Sequence, residues 1–140
     1  MLADQSGKVV SRNFYWLSTA PETLDWEKTN WYVTPTKTFA DYTALNTLPA
    51  VDLNVTARTE GSATTVTVTN PGDALAFAVH LKVTRGGEEI LPVLWEDNYF
   101  PLLPGESRQV TATYSPGRTP PVVEVDGWNV KPATVTPAAK

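Results

Sequence analysis

The chain predicts an all-β fold, an antiparallel β-sandwich with one short helix before the main strands, and three observations carry that expectation. From Val51 onward, apolar and polar residues alternate with a period of two over successive runs, the mark of strands that bury one face. Turn sequences built on Gly, Pro, Asn and Asp separate these runs at regular spacing. Six short strands punctuated in this way favour a sandwich.

The first run places Val51, Leu53, Val55 and Ala57 on one face and Asp52, Asn54, Thr56 and Arg58 on the other. Glu60-Gly61-Ser62 turns the chain into Ala63 to Thr69, where Val66 and Val68 alternate with threonines whose branched stems suit a half-exposed pleated surface. Asn70-Pro71-Gly72-Asp73 breaks the ladder. The third run sends Phe77, Val79, Leu81 and Val83 inward against Ala78, His80, Lys82 and Thr84. Arg85-Gly86-Gly87-Glu88 supplies the glycines of a tight hairpin, and the next strand is expected from Glu89 to Trp95. After a connection, Pro104 sets φ at the second position of a tight turn and Gly105 takes the positive φ that a type II turn needs at the third. Ser107 to Tyr114 follows, Ser115-Pro116-Gly117 turns again, and Val122 to Val125 closes the set before Gly127-Trp128-Asn129-Val130.

Residues 1–47 read differently from the sandwich expected over 48–130. Val9 to Ser18 contains Phe14-Tyr15-Trp16-Leu17, apolar on both faces, which predicts a strand covered on both sides. Asp4-Gln5-Ser6-Gly7-Lys8 has turn composition with almost nothing before it to act as the other strand, so the sequence is expected to start inside a hairpin. Pro21 to Tyr32 is a long aromatic connection. Phe39, Tyr42 and Leu45 lie at helical spacing, enough for one or two turns that Pro49 ends. At the other end 131–140 shows no periodicity and reads as a linker or tail.

Composition narrows the function. A chain of 140 residues is expected to form one domain that buries roughly 68 to 70% of its unfolded surface. Zero cysteines exclude disulfides and thiolate metal sites. A net charge of −4, with the eleven Lys and Arg scattered, argues against nucleic acid. No apolar run approaches the roughly 20 residues a membrane helix needs. The N-terminus lacks the basic and apolar regions of a signal peptide, so the protein is expected to be intracellular or to have its export signal outside this sequence.

No set of residues predicts catalysis or metal binding. Glu88-Glu89 lies in a hairpin, and Glu96-Asp97 would project to opposite faces, so both pairs read as solvated charges rather than as a catalytic pair of carboxyls. His80, the single histidine, falls on a polar strand face with no second ligand nearby in sequence and is expected at the surface. No Gly-x-Ser-x-Gly elbow is present. No cofactor is expected. Asn54-Val55-Thr56 matches a glycosylation sequon, which has meaning only in a eukaryotic secretory host.

Segments spread along the chain resemble one family. They are Gly7-Lys8-Val9-Val10-Ser11-Arg12-Asn13-Phe14-Tyr15-Trp16-Leu17-Ser18, Leu24-Asp25-Trp26, Ala40-Asp41-Tyr42-Thr43-Ala44-Leu45-Asn46, Leu94 to Ser107 and Gly127-Trp128-Asn129-Val130. Together, in this order, they resemble the C-terminal immunoglobulin-like domain of glycoside hydrolase family 2 exo-β-D-glucosaminidases and their β-mannosidase relatives. The resemblance implies an immunoglobulin-like sandwich from a secreted enzyme whose catalytic glutamates sit in a separate barrel, so no residue here inherits a catalytic role. It also implies that Asn13-Phe14-Tyr15-Trp16-Leu17-Ser18 is the last strand of one sandwich or the first of the next, and that the tail leads toward an appended carbohydrate-binding module.

Five tryptophans are a heavy load for this length. Trp95 is placed to be structural. Trp26, Trp31 and Tyr32, in an irregular connection, are the candidates for contact with other domains of the parent glycosidase or with a glycan. Packing in a core or domain interface is the preferred reading, because aromatics contribute large buried areas there. The alternative is a carbohydrate-binding module for chitosan or a related glycan, with Asp25 and Glu27 pairing with glucosamine ammonium groups.

Overall fold

The computed structural model describes residues 1–139. Among them it is all-β, with two short 3-10 turns and no α-helix. The chain divides into two compact units, residues 1–47 and residues 48 onward.

In the first unit, β1 (Leu2–Ala3) and β2 (Val9–Ser11) form a small antiparallel hairpin. The Asp4 carboxylate organises its turn, accepting from the Ser6 and Lys8 backbone N–H groups at 2.9 and 3.0 Å. The hairpin's first strand is therefore the two residues Leu2–Ala3, where the sequence offered almost nothing to act as one. The long strand expected through Ser18 is also corrected: it ends at Ser11, and Tyr15 and Leu17 are exposed. Among the described residues β1 is the strand paired with it, and two residues cannot satisfy the backbone beyond Ser11. Trp16 instead packs edge-on to Tyr42, with ring centroids 4.9 Å apart. A second ribbon pairs β3 (Thr23–Leu24) with β4 (Thr36–Thr38). The helix expected around Phe39 to Leu45 is a 3-10 turn over Thr43–Thr47, with the Asp41 carboxylate accepting from Thr43 N at 2.9 Å and Phe39 exposed.

The second unit is an immunoglobulin-like sandwich of two sheets. One runs in the order β10 (Phe100–Leu102), β7 (Ala76–Arg85), β12 (Val122–Asp126), β13 (Ala133–Val135), with β8 (Glu88–Glu89) paired to the end of β7. The other runs β14 (Ala138–Ala139), β5 (Asn54–Glu60), β6 (Ala63–Thr69), β11 (Ser107–Tyr114), β9 (Val93–Trp95). Their facing residues form the core: Val66, Val68 and Val110 from one sheet pack with Val79, Leu81, Phe100, Leu102, Val123 and Val125 from the other. Val83, Ile90, Ala112 and Tyr114 make a second cluster, and half-buried Trp95 packs against both.

Period-two patterning set the faces correctly along most strands. Leu53, Val55 and Ala57 pack on the core while Asn54, Thr56 and Arg58 are exposed, although the strand itself begins only at Asn54. Val51, buried, makes a parallel bridge to Val130 instead.

Three departures have identifiable causes. At the start of β7, Ala76 and Val79 are buried and Phe77 is only half-buried, because a bulge intervenes: Phe100 faces Val79 but Leu102 faces Ala76. Ala78 absorbs the extra residue with φ of 52°. The strand expected from Glu89 to Trp95 is split, β8 pairing in one sheet and β9 in the other, as the chain crosses between sheets at Ile90-Leu91-Pro92, where proline offers no donor. A strand appears at Phe100–Leu102, where the sequence predicted a connection. Pro101 hid it, and β10 tolerates that proline because it lies at a sheet edge.

The segment expected to be a linker or tail also differs, since β13 pairs with β12 and β14 runs parallel to β5. Lys140 lies outside the described residues. The expected turns form as predicted. Gly86 and Gly87 have φ of 64° and 86° between Arg85 and Glu88, and Gly105, at 74°, turns the chain with a bond from Glu106 N to Leu103 O of 3.0 Å.

Candidate functional site

The connection carrying the predicted contact residues is a ribbon, not a loose loop. Leu24 pairs with Thr36, and the bond from Asp25 N to Pro35 O, 2.8 Å, extends the ladder toward its tip. Trp26–Lys28 then makes one 3-10 turn. Asn30 closes the tip: its side-chain oxygen accepts from Tyr32 N at 2.9 Å and Val33 N at 3.2 Å, and its own N–H donates to the Val33 carbonyl at 3.1 Å. Asparagine suits this place because its side chain can stand in for a backbone acceptor. Trp31 and Tyr32 are thereby presented at the turn.

All three rings are open. Trp31 and Tyr32 are each 90% exposed and Trp26 is 71% exposed. The Trp31 and Tyr32 rings lie 6.4 Å apart with an interplanar angle of 88°, so they do not form a flat shelf. The Asp25 carboxylate is engaged by Lys28, 3.1 Å away, one 3-10 turn later. Glu27 points outward from the same turn and is exposed.

Of the adjacent acidic pairs in the sequence, Glu96 and Asp97 have structural partners. Glu96 accepts from Thr111 N at 2.8 Å, and Asp97 is ion-paired with Arg108. Glu88 and Glu89 are exposed in β8 opposite Arg85 and Thr84. His80, expected to be an ordinary surface residue, is corrected to a partly buried one. Its Nδ1 lies 2.9 Å from the Asp126 carboxylate, and its ring stacks on Tyr99 at 4.4 Å and 10°.

Three asparagines that sequence reasoning passed over hold the sandwich together by replacing peptide groups. Asn70, fully buried, donates to the carbonyls of Ala74 and Leu102 and accepts from Gly72 N. Asn129 donates to the carbonyls of Pro49 and Leu75, both at 2.7 Å, and accepts from Phe77 N at 2.8 Å. Asn98 grips Leu81. Two of the three, Asn98 and Asn129, stand inside segments that carried the family resemblance, which was the one available signal.

Comparison with known proteins places this geometry. A family model described as the exo-beta-D-glucosaminidase Ig-fold domain matches residues 31–130. The exo-beta-D-glucosaminidase of Streptomyces avermitilis is 46% identical over 99% of this chain, and that of Hypocrea jecorina is 36% identical over 96%. In each case the chain spans only 16% of the relative's length. The crystal structure of Amycolatopsis orientalis exo-chitosanase CsxA superposes with a TM-score of 0.78 at 41% identity, covering 96% of this chain and 17% of that one. A singly substituted variant of that enzyme has been solved in complex with PNP-β-D-glucosamine, where the likeness has a TM-score of 0.79. With the matched region taking in all of the sandwich core and Trp31 and Tyr32 of the ribbon, the chain belongs to the family of exo-β-D-glucosaminidase immunoglobulin-fold domains.

Proposed function

We propose that the chain acts as a non-catalytic accessory domain of a secreted exo-β-D-glucosaminidase-type glycoside hydrolase, packing its aromatic ribbon against neighbouring domains of that enzyme. The observation that carries this reading is the exposure of Trp26, Trp31 and Tyr32, joined in the same 47-residue unit by exposed Tyr15, Leu17 and Phe39. An aromatic side chain buries about 150 to 250 Å² when covered. So many open rings on one small unit are costly to leave in water and favour a covering surface. The relatives supply room for one, since most of their length lies outside the matched region.

The glycan-capture alternative through the same residues is less well supported. Perpendicular rings cannot stack successive sugars in one line, and an Asp25 carboxylate already paired with Lys28 has less to offer an ammonium group. Enzyme assays on the purified chain with glucosaminide and mannoside substrates test the non-catalytic part, and turnover that survives rigorous purification overturns it. Double substitution Trp26→Ala, Trp31→Ala tests the packing part. It is expected to leave the melting temperature of this chain unchanged but lower that of the full-length enzyme, and an unchanged full-length enzyme refutes domain packing at these rings.

A further inference from the structure

Arg85, the last residue of β7, is held by three contacts, and its two terminal nitrogens are left over. Its Nε donates to the Thr119 carbonyl at 2.9 Å. The guanidinium lies over the Tyr114 ring, with Cζ 5.9 Å from the centroid. Gly117 presses on it as well: a Cβ there would run into Nη1, Cζ and Nε, so only glycine leaves room for the side chain. Nη1 and Nη2 have no partner among the described residues. An arginine already fixed in this way has little freedom left to lose on binding, and its fork offers paired N–H donors.

Arg85 lines a cleft of about 410 Å³ together with Thr59, Glu60, Tyr114, Gly117 and Arg118. That volume falls among small-molecule sites, which run from about 300 to 1,000 Å³. Two of the lining hydroxyls belong to a chain of three. The Thr59 and Thr64 hydroxyls are 2.7 Å apart, and Thr64, fully buried, also bonds the hydroxyl of Tyr114. Three hydroxyls carry three hydrogens, and the two bonds between them use two. Thr64 has no other partner among the described residues, so its own hydrogen is spent within the chain. The surplus donor therefore falls to Thr59 or to Tyr114, and both line the cleft. Two guanidinium groups, Arg85 and Arg118, outnumber the one lining carboxylate, Glu60, on a chain whose net charge is −4.

We infer that this cleft binds a small ligand through a carboxylate group held at Arg85. An ionised carboxylate only accepts, and its two oxygens match the paired Nη donors of a guanidinium. The surplus hydroxyl hydrogen supplies a further donor on the same wall. A neutral ligand uses neither the charge nor the fork, and a cationic one is repelled by both arginines. The cleft is built from the sandwich alone and uses no residue of 1–47, so it stands apart from the domain-packing proposal.

Side-chain NMR of the purified 140-residue chain, following Arg85 Nε–H during titration with acetate, glucuronate, glucosamine and inorganic phosphate, tests the assignment. Saturable shifts are expected with acetate and, at lower concentration, with glucuronate, whose larger body fills more of the cleft; glucosamine should give none. Arg85→Lys keeps the charge but loses the fork, and should weaken glucuronate binding about tenfold. Gly117→Ala alters no charge but pushes the guanidinium off its seat, so it should weaken binding as much, read at the Gly61 and Thr119 amides, while the chain still unfolds cooperatively. Absence of saturable shifts up to about 10 mM carboxylate overturns the inference. So does binding that survives both variants, and phosphate that binds as tightly as glucuronate would show general attraction of anions in place of a carboxylate site.

Discussion

The Asn98 side chain occupies the place of a peptide group against Leu81, accepting from its N–H at 2.9 Å and donating to its carbonyl at 3.0 Å. Leu81 is a core residue, so both of its backbone groups would otherwise end in a half-buried region without partners. Asn98→Ala is expected to cost about 2 to 4 kcal/mol, the penalty for stranding two such groups. Asn98→Asp should also lose stability, since a carboxylate cannot donate to the Leu81 carbonyl. Urea denaturation reads both, and a loss below about 0.5 kcal/mol for the alanine variant would mean that water replaces the amide without cost.

The bulge on β7 carries its own test at Ala78, which sits at φ of 52°. A left-handed conformation costs an L-residue about 1 to 2 kcal/mol, and glycine avoids this at an entropic cost of about 0.5 to 1 kcal/mol. Ala78→Gly is therefore expected to stabilise the sandwich by about 0.5 kcal/mol. Ala78→Val should destabilise it, because a β-branched residue is disfavoured there. Equal melting temperatures for the two variants would contradict a bulge at this position.

Trp95 joins the two hydrophobic clusters from an edge strand, packing on both while remaining half-buried. Complete burial of a tryptophan would put the alanine variant at a loss of about 3 to 5 kcal/mol, and partial exposure places Trp95→Ala near the lower end. Calorimetry checks it. A change within about 0.5 kcal/mol would show the ring to be a surface group.

Acid sensitivity is expected in the first unit. The Asp41 carboxyl is held below the ordinary 3.8, chiefly by the hydrogen bond from the Thr43 backbone and then by the Thr43 hydroxyl. The Asp4 carboxyl is also lowered, first by the Ser6 hydroxyl. A depressed folded-state pKa means that the charged form is the one the fold prefers, so the contribution is present above 3.8 and is lost as pH falls through the folded value. Carbon-detected NMR titration should give both midpoints below 3.8, and Asp41→Asn should abolish the acid dependence at the Thr43 turn. A midpoint at or above 3.8 for either group would refute its hydrogen-bonded turn.

The residues predicted to make contacts show how far sequence reading extends to a candidate site. The aromatic connection was legible as a place of interest because two tryptophans and a tyrosine fall in a stretch without strand periodicity. Its form was not, because the ribbon depends on Leu24 pairing with Thr36 and on Asn30 closing the tip. Tyr99 was quoted only within a family segment, since its neighbour His80 cannot be seen in a list of residues.

The sequence alone determined which side chains face inward along β5 and β6, and where Gly61, Gly86, Gly87 and Gly105 turn the chain, because alternation and positive φ are local properties of a few neighbouring residues. The tertiary structure decided the bulge at Ala78, the crossing at Ile90-Leu91-Pro92, the proline-bearing strand β10 and the partners of the asparagines. Those outcomes turn on backbone groups brought together from far apart, as when Asn129 reaches Pro49 across eighty positions. A donor is satisfied by whatever the fold delivers to it, and no local pattern records which residue that will be.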